Sequence, residues 1–389
     1  MSQRVPDSNR LVAIDFLRGV AVFLVLLRHL PYSLNLAPVG GAGKAVAVEA
    51  LPAAVTAFTD YGEFGVHLFL VISGFCIHQR WARTDNQAIG VGFVSFWKRR
   101  LVRLYPPYFV ALLLSIAGLF VLFGVLGQPK GSSFASYLGY GSPSRLAIDL
   151  VLLLLLLHNL TGAHHRIGNP PFWSLALEEQ LYMLYFGLLW LRRHHGWSIA
   201  LGVAAVATVA WRAIGLSLGH DRPGFWYIVG PAHWLSWSLG ALAVEANLGR
   251  VAIPSWVRSW PALATLLTTA LLLHPPKTTT FRIPGAEVLD DLAFGATFFV
   301  LVTMATHAER EGRLVRSRVV AWLTSLGLIS YSVYLTHLPI MVAVKQVALR
   351  IDLPVASVLA LRLIIPIGLG ALFFRFIERP FMNRSRRVR

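Results

Sequence analysis

Apolar residues run along this chain in stretches of about 17 to 25, the length a helix needs to cross a bilayer. Short polar segments separate them. Ten stretches predict ten spans: 11–30, 62–79, 104–126, 177–191, 197–215, 226–246, 259–274, 289–306, 328–348 and 355–377. An eleventh, 146–160, is apolar but short, and Leu150 to Leu157 holds only Leu and Val. It reads as a further span or a re-entrant segment. Lipid offers the backbone no hydrogen-bond partners, so a spanning chain of this kind is helical. The predicted fold is an all-α, polytopic transmembrane helical bundle of about ten spans. It forms one domain over 1–389, with short tails at 1–10 and 378–389.

Composition agrees. Hydrophobic residues make up 56% of the chain and charged residues 14%, against about 25% charged in ordinary soluble domains. The net charge of +17 then needs a reading other than nucleic-acid binding, because the basic residues fall in short loops between apolar runs. Cytoplasmic loops of membrane proteins carry that excess. With ten spans and a cytoplasmic N-terminus, 21 Lys and Arg lie inside and 8 outside. An eleventh span would put the basic C-terminus outside, so 146–160 is expected to be partly inserted. The expected location is a bacterial inner membrane with both termini cytoplasmic. The first run carries Asp15, Arg18 and Arg28 without a prompt small-residue cleavage site, and reads as a retained helix. The connection 127–176 is long enough to suggest that it covers a site on the outer face. The single cysteine, Cys76, excludes an intramolecular disulfide, and no metal-ligand spacing is present.

Ionisable side chains inside spans are costly and mark function. Arg18 and His29 are eleven residues apart, close to three turns, so they share a face and lie about 16 Å apart along the axis. Asp15, one turn before Arg18, is placed to pair with it; Arg28 reads as snorkelling. Trp173-Ser174-Leu175-Ala176-Leu177-Glu178-Glu179-Gln180-Leu181-Tyr182 opens another span, with Glu178 and Tyr182 on one face. The charge count puts that end on the same side as His29, where Glu178 is placed to orient the imidazole. Lys98, Arg99, Arg100 and Arg103 form a cytoplasmic basic cluster suited to phosphate or to anionic lipid. Ser330, Tyr334 and His337 recur at helical spacing, which equally fits helix–helix hydrogen bonding.

In register, these segments resemble the membrane-bound acyltransferase family 3. Asp15-Phe16-Leu17-Arg18-Gly19-Val20-Ala21 and the Arg18 to His29 spacing are similar to its opening signature. Gly65-Val66-His67-Leu68-Phe69-Leu70-Val71-Ile72-Ser73-Gly74-Phe75 resembles a second block, with His67 where the family usually has an acidic residue. Arg100-Leu101-Val102-Arg103-Leu104-Tyr105-Pro106, Trp173 to Tyr182, Ile329 to Pro339, and Glu378-Arg379-Pro380-Phe381 continue the match.

The resemblance implies transfer of an acyl group, most often acetyl, from acyl-CoA to a hydroxyl of a carbohydrate or glycosylated acceptor. It implies His29 as general base with Glu178 and Arg18 as catalytic partners. It further implies Arg99, Arg100 and Arg103 as the acyl-CoA site, and Ser73, Trp173, Tyr182 and His337 around the substrate, with no metal. Some members add a hydrolase-like domain, which is not expected after Phe381, so the membrane domain would serve the final acceptor or a separate partner. The rival class is a transporter or flippase of surface lipids or glycans, with the intramembrane ionisable residues as its pathway.

Overall fold

The computed structural model describes residues 10–32, 59–83, 92–125, 142–161, 169–219, 225–275, 281, 283–351 and 353–387. Twelve helices are placed among them. They are α1 (Val12–Tyr32), α2 (Phe64–Arg83), α3 (Phe93–Val125), α4 (Pro143–Leu154), α5 (Trp173–Ser217) and α6 (Trp234–Asn247). Then follow α7 (Trp260–Leu273), α8 (Ala286–Arg310), α9 (Arg318–Leu328), α10 (Ser330–Arg350), α11 (Val355–Phe373) and α12 (Arg379–Arg387). No strand occurs among the described residues. The chain is an all-α, multi-pass membrane bundle, as the apolar runs predict.

Helix ends fix which elements share a face. The carboxylate of Glu309, near the end of α8, accepts from the Val12 and Ala13 amides at 2.8 Å each. Those amides have no partner inside their own helix, and a carboxylate also suits the positive end of the α1 dipole. Arg310 donates to the Asn247 carbonyl at the end of α6, and Arg258 Nη1 lies 3.3 Å from His307 Nδ1. One face therefore carries the start of α1 and the ends of α6 and α8. Small residues allow close crossings, as is usual where lipid supplies no hydrophobic drive between helices. A methyl on Gly327 would stand 1.8 Å from the Asp15 carbonyl oxygen, and one on Gly240 1.9 Å from that of Val71.

The 45 residues of α5 are two antiparallel arms, because Gly196 adopts φ 78°, ψ 176°. The short turn Gly230–His233 touches both arms. Gly230 N donates to Gln180 Oε1 at 2.7 Å, and Thr208 Oγ1 donates to the Pro231 carbonyl at 3.1 Å. This hairpin matches the expected spans 177–191 and 197–215.

Three placements bear on the expected spans. Five helices are individually long and apolar enough to cross a membrane, six if the pair α9–α10, bent by 81°, is one crossing. The ten are not established span by span. Charges in α1, the 14 residues each of α6 and α7, and the doubling back of α5 account for the difference. Second, the basic cluster belongs to α3, which begins at Phe93 rather than 104. Third, α4 has 12 residues, about 18 Å, which falls short of a ~30 Å hydrocarbon core and agrees with partial insertion. Most of the rest of the 127–176 connection, with His164 and His165, lies outside the described residues, as does the tail before Arg10.

Candidate active site

The two spans bearing His29 and His337 bring these rings together. Their centroids are 4.9 Å apart, edge to face. Each ring is tied to its own helix: His29 Nδ1 lies 2.8 Å from the Val25 carbonyl, and His337 Nδ1 2.8 Å from that of Tyr334. A carbonyl only accepts, so this geometry assigns the proton of each neutral ring to Nδ1 and the lone pair to Nε2. In that tautomer Nε2 is the basic nitrogen of each ring. His337 is fully buried, and its Nε2 has no hydrogen-bond partner among the described residues. Leaving such an atom unsatisfied costs about 1–3 kcal/mol, which a ligand's hydroxyl would recover.

The backbone beneath His29 is clamped from α11. Arg362, also fully buried, donates from Nη1 to the Leu30 carbonyl at 2.8 Å and from Nη2 to the His29 carbonyl at 3.2 Å. These carbonyls close the last turn of α1, where the helix presents its negative end. Arg362 was not singled out from the sequence, although a guanidinium inside an apolar span is the signal that flags such a residue. Tyr334 was singled out only as part of a stripe. Its hydroxyl reaches Ser174 Oγ at 2.5 Å and the Pro171 carbonyl at 2.9 Å, which joins the histidine helix to the start of α5.

The second constellation is a cleft of about 280 Å³ between α3, α5 and the segment after α4. Arg100, Glu178, Glu179, Trp97, Tyr105 and Tyr331 are among its lining residues. Glu178 Oε1 accepts from Ser73 Oγ and Tyr182 OH, both at 2.5 Å, and Trp237 Nε1 donates to Ser73 Oγ at 3.3 Å. The Arg100 guanidinium sits 5.2 Å from the Tyr182 ring centre and 5.7 Å from that of Phe96. Tyr105 and Tyr108 donate to the Leu154 and Leu153 carbonyls at 2.5 and 2.6 Å, holding the end of α4 over the cleft. Trp173 opens α5 nearby, half-buried against the core.

The expected pairing of Glu178 with His29 is not formed, because the carboxylate is taken by Ser73 and Tyr182 in the arginine cleft. The cause is depth. Helix α3 runs antiparallel to the first arm of α5, with Phe93 by Phe186 at 5.0 Å and Tyr108 by Phe172 at 5.0 Å. Arg100 thereby reaches the level of Glu178 instead of staying at the surface. Arg103 lies within electrostatic reach of Arg100, Arg18 and Glu378, and Arg99 within reach of Arg80 and Arg100. Glu378, at a π-helical turn after α11, accepts from Ser332 Oγ at 2.5 Å. Asp15 pairs with Arg10, not Arg18. Arg28 does not snorkel: it pairs with Asp60 at 3.0 Å and lies 3.7 Å from Glu63.

Two sites with these residues, a histidine end and an arginine–carboxylate cleft joined through one bundle, fit an acyl-transfer membrane enzyme. Residues 11–375 match the family described as acyltransferase domain. The chain belongs to that family of acyltransferases. It is 24% identical over its whole length to the putative peptidoglycan O-acetyltransferase YrhL of Bacillus subtilis, covering 58% of that protein. It is 25% identical over 96% of its length to the peptidoglycan O-acetyltransferase OatA of Listeria monocytogenes, covering 56%. With the acyltransferase MdmB of Streptomyces mycarofaciens it shares 26% over 72% of its length, covering 68%. The chain thus spans little more than half the length of the first two relatives. No solved structure matches.

Proposed function

We propose that this chain is an integral-membrane O-acyltransferase that moves an acyl group, acetyl in the first instance, from cytoplasmic acyl-CoA to a hydroxyl of an extracytoplasmic carbohydrate. The observation that carries the reading is the facing pair His29 and His337, each with Nδ1 committed to a backbone carbonyl of its own helix. The names of the first two relatives favour a peptidoglycan sugar as acceptor.

In this reading His29 Nε2 takes the proton of the acceptor hydroxyl as its oxygen attacks the thioester carbonyl carbon. The new C–O bond forms, the C–S bond breaks, and the leaving thiolate takes the proton back from the imidazolium, so the step is balanced without a metal or redox partner. A positioned base of this kind contributes about 10²–10⁴-fold. His337 Nε2 accepts from a neighbouring hydroxyl of the same sugar. The Arg100 cleft fits the phosphate end of the donor, since a guanidinium beside aromatic faces binds phosphate and stacks a planar base. Arg18 and Arg103 lie along the route for the thin pantetheine arm, and Glu178 holds Ser73 and Tyr182 in place beside it.

The charge bias favours a cytoplasmic start of α1, and with it a donor cleft nearer that side and His29 toward the opposite one. The test is release of free CoA by the purified protein in detergent, given acetyl-CoA with and without peptidoglycan fragments. Acceptor-dependent CoA release supports the reading. Transport of a lipid-linked sugar in vesicles without any acyl-CoA dependence would replace it with the flippase.

A further inference from the structure

A third polar centre lies outside both of these sites. His67 on α2, His233 in the turn before α6, and Asp291 on α8 turn one nitrogen or oxygen each toward a common point, all within 4.8 Å of one another. His233 Nδ1 is 2.6 Å and His67 Nε2 3.3 Å from Asp291 Oδ1. Asp291 and His233 are buried, and His67 is half-buried. We propose that these three residues form a binding site for a divalent metal ion of the zinc class.

The hydrogen-bond partners carry the argument. His233 Nε2 lies 2.8 Å from the Tyr227 carbonyl, which only accepts, so Nε2 holds a hydrogen. In the neutral ring Nδ1 is then a bare lone pair, and it faces a carboxylate oxygen at 2.6 Å. Two acceptors at that distance need positive charge between them. The outer atoms of His233 and Asp291 are anchored as they are around metal ligands, where the distal ring nitrogen donates to a carbonyl and the carboxylate is itself hydrogen-bonded, whereas His67 Nδ1 has no partner among the described residues. Ser236 Oγ supplies the latter, reaching Asp291 Oδ2 at 2.7 Å and the Asp291 carbonyl at 3.0 Å.

Two imidazoles and a carboxylate select zinc-like ions over magnesium or calcium, and three protein ligands leave a fourth position for water. Arg212 does not occupy the point: it is bound to Asp290 at 2.7 Å and to the Ala232 and Glu287 carbonyls, and stands 3.7 Å from Asp291 Oδ1. An ion here would tie α2, α6 and α8 together. The rival occupant is a proton on His233 Nδ1. Sequence reading found no metal-ligand spacing because the ligands come from three distant segments.

The experiment uses the tag-free full chain in detergent, stripped with chelator and dialysed against Co²⁺, then Zn²⁺. The expected result is one equivalent of Co²⁺ with visible ligand-field absorption, displaced by Zn²⁺, and a rise in unfolding temperature with the bound ion. His67→Ala, at the less buried edge, is expected to lower the affinity at least ~100-fold, beyond the 10–100-fold typical of losing an outer partner, with helix content unchanged. His78→Ala, a buried histidine elsewhere, retains the ion. A wild-type chain that binds no Co²⁺ holds only the proton, and overturns the proposal. Co²⁺ binding as tight as the wild type's in both His67→Ala and the double variant His67→Ala/His233→Ala overturns it too, because the ion then sits elsewhere.

Discussion

The histidine end and the arginine cleft are built from overlapping helices yet differ in chemistry. At the first, two neutral rings are tied to backbone carbonyls of their own helices, and a buried guanidinium holds the turn beneath one of them. At the second, charged groups face an open cleft and are held by hydroxyls and aromatic faces. The first suits moving a proton in a dry setting. The second suits gripping an anionic ligand. Along α1, Arg18, which lies within electrostatic reach of Arg103, is about 16 Å from His29, so binding and chemistry are open to separate mutation.

The largest effect is expected at the histidine end. His29→Ala should lower transfer by about 10²–10⁴-fold while expression and membrane insertion stay as in the wild type. Near-normal turnover would remove His29 as base. A smaller contrast is expected in the cleft. Glu178→Gln should slow transfer by roughly tenfold or more, the scale of hydrogen bonds to a charged group, and Glu179→Gln much less. Glu178 holds Ser73 and Tyr182, whereas Glu179 only lines the cleft; equal losses would mean that both carboxylates merely serve the helix start. The smallest effect is expected from Arg362→Gln, which keeps a donor on the α1 carbonyls but removes the charge. A several-fold fall in kcat with unchanged acyl-CoA affinity, roughly 1 kcal/mol, fits a residue that positions His29. A fall confined to acyl-CoA affinity would move Arg362 to the donor site.

Much of this arrangement was legible in the sequence. Bilayer-length apolar runs predicted a helical membrane bundle, and the α5 hairpin follows the break around Gly196. Both histidines stood out as polar residues inside spans. Depth was not legible. Loop charge sorts segments to one side or the other but does not say how far a helix start reaches, so Arg100 was assigned to the surface and Glu178 to the side of His29. Adjacency between helices was equally hidden: periodicity put Ser330, Tyr334 and His337 on one face of α10 without showing that α1 packs there. His67, the departure from the family pattern, acquires partners only when α8 brings Asp291 beside it.

The most direct measurement is the acyl-CoA dissociation constant in detergent, at two salt concentrations, beside single-turnover rates, for His29→Ala and for Arg100→Ala/Arg103→Ala. Separate sites predict that the histidine variant binds acyl-CoA nearly as the wild type does and transfers about 10²–10⁴-fold more slowly. They predict that the arginine variant binds more weakly, with less dependence on salt. If the arginine pair can be removed without loss of acyl-CoA affinity, the donor is held elsewhere and the division between the two regions fails.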